Sequence, residues 1–291
     1  MTRRTFDVVV IGSGPAGLSA AVAVAEKGLS VVSIDRMGPG GQLMNLGEIH
    51  GVAGLEEGAT GPDFIATLAE KAMTGGVELA IDEVTAARTD QSGIWWVDSS
   101  EGGFEAKALV MATGLTPGTT GLEEESRFEG AGLSHCAHCD GPLYSGRPVL
   151  VVGDDAWAIE EAIALADHAS SVTLVSPKPL EGAPDRMAEL ISRDNVALIE
   201  GTVKGFRGSD NLEHVMIEVG GNPEQAIEAH GMFLYADRRP AHGLIEPGQE
   251  TAAGLFWAGD VMPDAAKNIS KAIADGTEAG NNAANWANAR P

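Results

Sequence analysis

Phe6-Asp7-Val8-Val9-Val10-Ile11-Gly12-Ser13-Gly14-Pro15-Ala16-Gly17 is an apolar run that breaks into three glycines spaced G-x-G-x-x-G. The run reads as a buried strand, and the Ala-rich segment beyond Gly17 as a helix starting in the glycine turn. A second apolar run, Leu29 to Ile34, ends in Asp35. Strand, glycine turn, helix, strand and terminal acid make a βαβ unit with the dinucleotide fingerprint. In such a unit Gly12 makes the tight turn, Gly14 admits a pyrophosphate to the backbone, and Gly17 lets helix and sheet pack. Pro15 and Ala16 open the helix whose N-terminus faces the phosphates, and Asp35 accepts from a ribose hydroxyl. The unit by itself does not choose between FAD and NAD.

The rest of the chain sets the class. Its 291 residues are 44% apolar with 38 glycines, enough for a large core with many tight turns and, by size, two domains. The formal charge is −23, from 42 acidic against 19 basic residues. That surface suits neither nucleic acid nor an anionic membrane, and solubility or adaptation to salt accounts for it. No apolar run reaches the roughly 18 residues of a membrane-spanning helix. Phe6 to Ile11 is too short for a signal peptide and runs straight into glycines, so a cytoplasmic, thiol-reducing location is expected.

The only two cysteines stand in His135-Cys136-Ala137-His138-Cys139-Asp140-Gly141, as Cys-x-x-Cys. Two thiols at that spacing can close a small disulfide. A zinc site needs about four ligands, and no second Cys/His pair exists; no metal is expected. Haem attachment needs His directly after the second Cys, where Asp140 stands. So short a loop restricts the unfolded chain little, which argues against a purely stabilising bridge. A redox pair is the leading reading over those alternatives, and it requires an electron carrier.

Gly40-Gly41-Gln42-Leu43, Ala112-Thr113-Gly114, Cys136-Ala137-His138-Cys139-Asp140-Gly141 and Gly259-Asp260 together resemble the pattern of low-molecular-weight thioredoxin reductases, in order along nearly the whole chain. Gly61-Pro62-Asp63-Phe64 and Gly254 to Val261 are also similar to that family. The resemblance implies an α/β fold of two Rossmann-like, three-layer ββα domains of dinucleotide-binding type, the second inserted in the first. The first, over residues 1–116 and 243–291, would bind FAD through Gly12, Gly14, Pro15, Ala16, Gly17, Asp35, Gly41, Gln42, Ala112, Thr113, Gly114, Gly259 and Asp260. The second, over 117–242, would carry the Cys pair, with Thr116-Pro117-Gly118 as the junction.

Local patterns fill in the elements. Ile94 to Val97 and Phe104 to Met111, separated by Gly and Ser turns, read as a small antiparallel meander leading into the strand that ends at Ala112. Trp95 and Trp96 face opposite ways within it, so at least one is packing. In the second domain Pro148 to Val152, a helix through Glu160-Glu161-Ala162, and Val172 to Val175 form another βαβ unit. Met187 to Ser192 reads as a helix, and 212–219 and 232–236 as strands.

Here the chain departs from the family. Where a second fingerprint G-x-G-x-x-A holds NADPH, this chain has Gly153-Asp154-Asp155-Ala156-Trp157-Ala158. An acid occupies the second glycine's place, where backbone should meet the pyrophosphate. The basic cluster that grips the 2′-phosphate is replaced by Ser176-Pro177-Lys178-Pro179. The Asp pair also suits a well-capped helix, and Trp157 suits either core or a flavin-facing role. Lys267-Asn268-Ile269-Ser270 stands where the family places a Gln-Ala pair against the flavin ring, Gly51 where an Asn is common, and the stretch between Pro240 and Gly254 is short.

By resemblance the reduced flavin passes two electrons to the Cys136/Cys139 disulfide, and the dithiol reduces a partner disulfide through a mixed disulfide. Cys139 would then be the flavin-proximal sulfur, Cys136 the attacking one, and Asp140 the acid and base, although Asp140 also suits a turn. His135 and His138 read as loop residues. The leading expectation is a disulfide reductase acting on a thioredoxin-like protein or a small disulfide, with NADPH doubtful and a ferredoxin or second flavin as donor. Charge argues against an acidic ferredoxin unless a basic patch meets it. The alternatives are a dithiol oxidase using oxygen, an ordinary NADPH-dependent thioredoxin reductase, and a non-enzymatic flavin sensor. The family's habit implies a homodimer.

Overall fold

The structure, a computed structural model, describes residues 3–49, 52, 54–263 and 267–290. The chain divides into two compact units, one of residues 1–116 and 240–291 and one of residues 117–239. The first unit opens with β1 (Arg4–Ile11), α1 (Pro15–Ala25), β2 (Val31–Asp35), α2 (Gly61–Thr74), β3 (Glu78–Ile81), β4 (Val84–Thr89), β5 (Trp95–Ser99) and β6 (Gly102–Met111). The second supplies α3 (Glu125–Phe128), β7 (Leu133–Ser134), α4 (Ala137–Asp140), β8 (Pro148–Val152), α5 (Ala156–Ala166), β9 (Ser171–Ser176), α6 (Pro184–Ser192), β10 (Val196–Glu200), β11 (Thr202–Arg207), β12 (His214–Glu218), β13 (Gln225–Glu228) and β14 (Gly231–Leu234). The chain then returns through β15 (Leu255–Trp257) and α7 (Ile269–Asn288).

In the first unit the strand order is β3-β2-β1-β6-β5-β4, with β15 also paired to β6. The β3, β2, β1, β6 and β15 pairings are parallel, and β4-β5-β6 is the antiparallel meander. Both faces of the parallel part are covered, which is why Val8 to Ile11 is apolar at every position. Val8 and Val10 pack with α1 and α7, whereas Val9 and Ile11 pack with Trp95, Val97 and Phe104 of the meander. Trp95 is fully buried there, and Trp96 lies half-buried under the Arg3 guanidinium. α7 lies on α1 through glycine: a Cβ on Gly276 would stand 2.1 Å from Ala16 O. α2 starts in a reciprocal cap, with Thr60 Oγ1 accepting from Asp63 N–H at 3.3 Å and donating to its carboxylate at 2.6 Å.

The second unit repeats this plan. Its sheet, β10-β9-β8-β14-β7, is parallel, and β11-β12-β13 forms a separate antiparallel sheet. Val149, Val151 and Phe233 pack under α5, while Leu150, Val152 and Leu234 face Val215 and Ile217 of the small sheet. Each unit is therefore a ββα sandwich. The return to the first unit comes at Pro240, three residues before the 243 expected from sequence. Leu115 bridges to Pro240, Ala241 N–H donates to Gly114 O at 3.0 Å, and Thr113 Oγ1 donates to Ala241 O at 2.8 Å, so residues 240–242 are tied to the first unit's backbone. Among the described residues no helix is long and apolar enough to cross a membrane.

Candidate functional site

Two glycine loops meet at the C-terminal ends of β1 and β2. Gly12 N–H donates to Ile34 O at 2.7 Å, and Gly40 N–H to Ser13 O at 3.0 Å. A Cβ on Gly12 would stand 2.3 Å from Ala112 O, and one on Gly17 1.8 Å from Gly12 O, so both positions require glycine for the fold itself. Gly14 differs: its nearest neighbours would be Gly41 Cα at 3.9 Å and Gly40 O at 4.0 Å, ordinary contact distances. Gly14 is the N-cap of α1, and no side chain caps that end and no acid lies in its first turn. The helix therefore presents unfilled N–H groups and a positive dipole end beside an open glycine. Asp35 closes the other side, one carboxylate oxygen accepting from Ser13 N–H at 2.9 Å and the other from Met37 N–H at 3.0 Å.

In the second unit Cys136 and Cys139 are joined as a disulfide bracketing the first turn of α4. Cys139 N–H donates to Cys136 Sγ at 3.0 Å. Ser134 ties the turn to its acid: its hydroxyl donates to Asp140 Oδ2 at 2.7 Å and accepts from Cys136 N–H at 3.1 Å. Beneath the turn, Ala137 N–H is shared by Glu161 Oε2 at 2.8 Å and Tyr235 Oη at 3.0 Å, and Tyr235 donates to Glu161 at 2.6 Å. Burial lifts the Glu161 carboxyl to about 7 against the pull of those two donors and of Arg238, and burial beside Glu161 raises the Tyr235 hydroxyl well above its ordinary value. His135 contacts Glu129 Oε1 at 3.0 Å and Leu234 O at 3.3 Å, so it is tied into the turn, whereas His138 is exposed.

The N-terminus of α5 is the counterpart of that of α1, and it is filled. Asp155 is the N-cap and accepts from Ala158 N–H at 3.1 Å. Its other oxygen is paired with Arg238, whose guanidinium lies over the Trp157 ring. Asp154 is paired with Lys178 at 3.1 Å. Trp157 is half-buried and packs against the second unit's core. Gly153 is retained because a Cβ there would meet the Ala158 Cβ at 2.6 Å. The second fingerprint thus keeps the glycine that packing requires and loses the one a phosphate requires.

The profile described as "Pyridine nucleotide-disulphide oxidoreductase" matches residues 6–276. The chain belongs to that family. Within it, a thioredoxin reductase from Helicobacter pylori (strain J99) is 32% identical over 302 residues, spanning 94% of this chain and 96% of its own. One from Treponema pallidum (strain Nichols) is 26% identical, spanning 97% of each chain. The crystal structure of Lactococcus lactis thioredoxin reductase superimposes with a TM-score of 0.89 at 27% identity, covering 98% of this chain and 100% of that one. The protein is a thioredoxin reductase-like flavoprotein and an FAD-dependent oxidoreductase.

The first unit's residues fit FAD. The uncapped end of α1 beside the open Gly14 suits a pyrophosphate, and Asp35, with two of about four acceptor positions used, retains capacity for ribose hydroxyls. Gly41, Gln42 and Leu43 lie in the facing 3-10 turn; Gly259 and Asp260 lie in another, which Lys267 holds by donating to Asp260 O at 2.7 Å and Met262 O at 3.0 Å. Asn268 caps α7 by accepting from Lys271 N–H at 2.8 Å. Asn268 thus serves as a helix cap in the stretch where the family places a Gln-Ala pair against the flavin ring. Gly51 lies outside the described residues.

Ser134, Glu161, Tyr235 and Arg238 were not singled out from the sequence. Glu161 left a trace, since Ala158, Ala162 and Leu165 place it on the apolar stripe of α5. Arg238 left less: it lies sixty residues past Lys178, and only the chain's course through β14 brings it to α5.

Proposed function

We propose that this flavoprotein is a disulfide reductase of thioredoxin-reductase type whose electrons do not come from NADPH bound at α5. The observation that carries the reading is the Asp155 carboxylate capping α5 and paired with Arg238, at the helix end where a pyrophosphate would have to sit. Gly12, Gly14, Pro15, Ala16, Gly17, Asp35, Gly41, Gln42, Ala112, Thr113, Gly114, Gly259 and Asp260 would hold FAD, which supplies a two-electron carrier. Electrons then enter from a donor needing no site at α5, either a protein donor of the ferredoxin kind or a second flavin.

The chain's own groups shape the next steps. Once the Cys136–Cys139 bond has taken two electrons, Cys139 N–H stabilises a thiolate at Cys136 Sγ. That thiolate attacks one sulfur of a thioredoxin-like or small disulfide, and the displaced sulfur leaves as a thiolate. Cys139 then attacks the mixed disulfide, restoring the intramolecular bond. Asp140, oriented by Ser134, passes the proton of the thiol on without keeping it.

The reading is tested by opening the site. The double substitution Asp154→Gly, Asp155→Gly removes the two carboxylates that face a phosphate there, one paired with Lys178 and one with Arg238. Glycine at an N-cap costs only a few tenths of a kcal/mol, so the fold should survive. Two charge-assisted contacts at about 1.5 to 3 kcal/mol each predict a gain of about two decades or more in NADPH affinity, read by equilibrium titration. Unchanged or weaker NADPH binding in the variant would contradict the reading.

A further inference from the structure

Glu161 is 3% exposed, an acid in the middle of an apolar helix face. Its hydrogen-bond ring with Tyr235 and Ala137 N–H lies directly under the turn that carries the disulfide, because Ala137 stands between the two cysteines and is the first residue of α4. Neither holding FAD nor exchanging disulfides, as described above, uses this ring. As a support for the turn, a neutral amide would serve as well and avoid the cost of a buried charge. What a carboxyl adds is a proton that can come and go.

We propose that Glu161 is the proton store of the redox turn, binding a proton when the Cys136–Cys139 disulfide is reduced and releasing it when the disulfide re-forms. The proposal rests on reading that pair as the redox centre. Reduction adds two electrons to the S–S bond and breaks it. One sulfur takes a proton as a thiol, and the other, Cys136, keeps a negative charge beside Cys139 N–H. The charge raises the proton affinity of the carboxyl behind the same turn, so Glu161 binds the second proton from solvent. When a partner disulfide reoxidises the pair, its two sulfurs leave with two electrons and two protons, one from the thiol and one from Glu161. Glu161 is a positioning residue in this scheme: it acts through the Ala137 amide and the local field, without touching sulfur.

The surroundings suit the task. Burial holds the Glu161 carboxyl near the physiological range, Tyr235 and Ala137 N–H favour its ionised form, Arg238 does the same, and Glu160 opposes them. Glu160 is itself held by Arg186 of α6, with Nε donating to its Oε1 at 2.7 Å. On α4 the titratable groups are exposed His138 and Asp140, the latter engaged by Ser134. β8 and β9, packed against α5, carry no titratable side chain. With its folded value raised above the ordinary one, Glu161 is ionised in the oxidised protein only above about 7, and only there can reduction load it.

The test is a redox titration of the FAD-containing protein in oxidised and reduced dithiothreitol, without oxygen, from about pH 6 to 8.5. The cysteine state is read by alkylation and intact mass, so neither NADPH nor a protein partner enters. Above neutral pH the wild type should bind about two protons per two electrons and Glu161→Gln about one, halving the slope of potential against pH, with the two converging at the acid end. Tyr235→Phe removes a donor that favours the carboxylate and should move the convergence point to higher pH. Equal proton counts in wild type and Glu161→Gln, or a convergence point unmoved in Tyr235→Phe, would overturn the proposal while leaving the redox pair intact. A disulfide that no dithiothreitol ratio reduces would overturn both.

Discussion

Gly14→Val should yield a folded but colourless protein. The backbone at Gly14 is extended, with φ at −76°, and an added Cβ would make only ordinary contacts with Gly40 and Gly41, so the first unit's core is untouched. The branched side chain would instead occupy the space at the α1 N-terminus that a pyrophosphate must approach. Losing about two charge-assisted contacts costs about 3 kcal/mol or more, at least two decades in FAD affinity. Absorbance of the purified protein near the flavin's visible maximum, beside its circular dichroism, reads binding and folding separately. The contrast with Gly12 and Gly17 sharpens the test: substitution there drives a Cβ into backbone and should cost the fold as well. A Gly14→Val protein as yellow as the wild type would remove the assigned phosphate site.

Cys139→Ser and Cys136→Ser should each abolish turnover of a disulfide substrate, and the double variant should be no worse than either. The two sulfurs act as one unit, since the mixed disulfide formed by one is resolved by the other. Losses in such units are non-additive, and roughly three decades or more is expected for each single change. Structurally the changes are mild, because the turn is also held by Asp140 N–H donating to Cys136 O at 3.0 Å and by Ser134 and Glu161. Steady-state reduction of a model disulfide with a chemically reduced flavin measures the effect. Turnover surviving in either single variant would sink the relay.

Much of this architecture is legible in the sequence. Val8 to Ile11 and Val149 to Val152 are continuous apolar runs because both faces of each sheet are covered, and such runs announce a parallel sheet. The elements the sequence left unread included α2, α7, β3, β7, β10, β11, β13 and β15. Val196–Glu200 is largely exposed or half-buried along its length, so the alternation that marks a strand is weak, and β7 is only two residues long. Asp155 was legible both as a cap and as an obstruction, since a carboxylate at an N-cap is both. Its pairing with Arg238 was not, because nothing local links residues that only the sheet brings together. The same is true of Glu161, whose partners Ala137 and Tyr235 come from the redox turn and the end of β14.

The N-terminal end of α5 is capped by the protein's own Asp155 carboxylate. A phosphate placed there meets Asp154 and Asp155, and Lys178 and Arg238 are already paired with them. About two lost charge-assisted contacts, at about 1.5 to 3 kcal/mol each, weaken a nucleotide by about two to four decades. NADH lacks the 2′-phosphate but still meets Asp155. The most direct measurement is stopped-flow absorbance of the FAD-loaded wild type, without oxygen, mixed with NADPH at physiological concentration. Slow or absent bleaching of the flavin band is expected with NADPH and prompt bleaching with dithionite; rapid bleaching by NADPH would mean an open nucleotide site at α5 and an ordinary NADPH-dependent thioredoxin reductase.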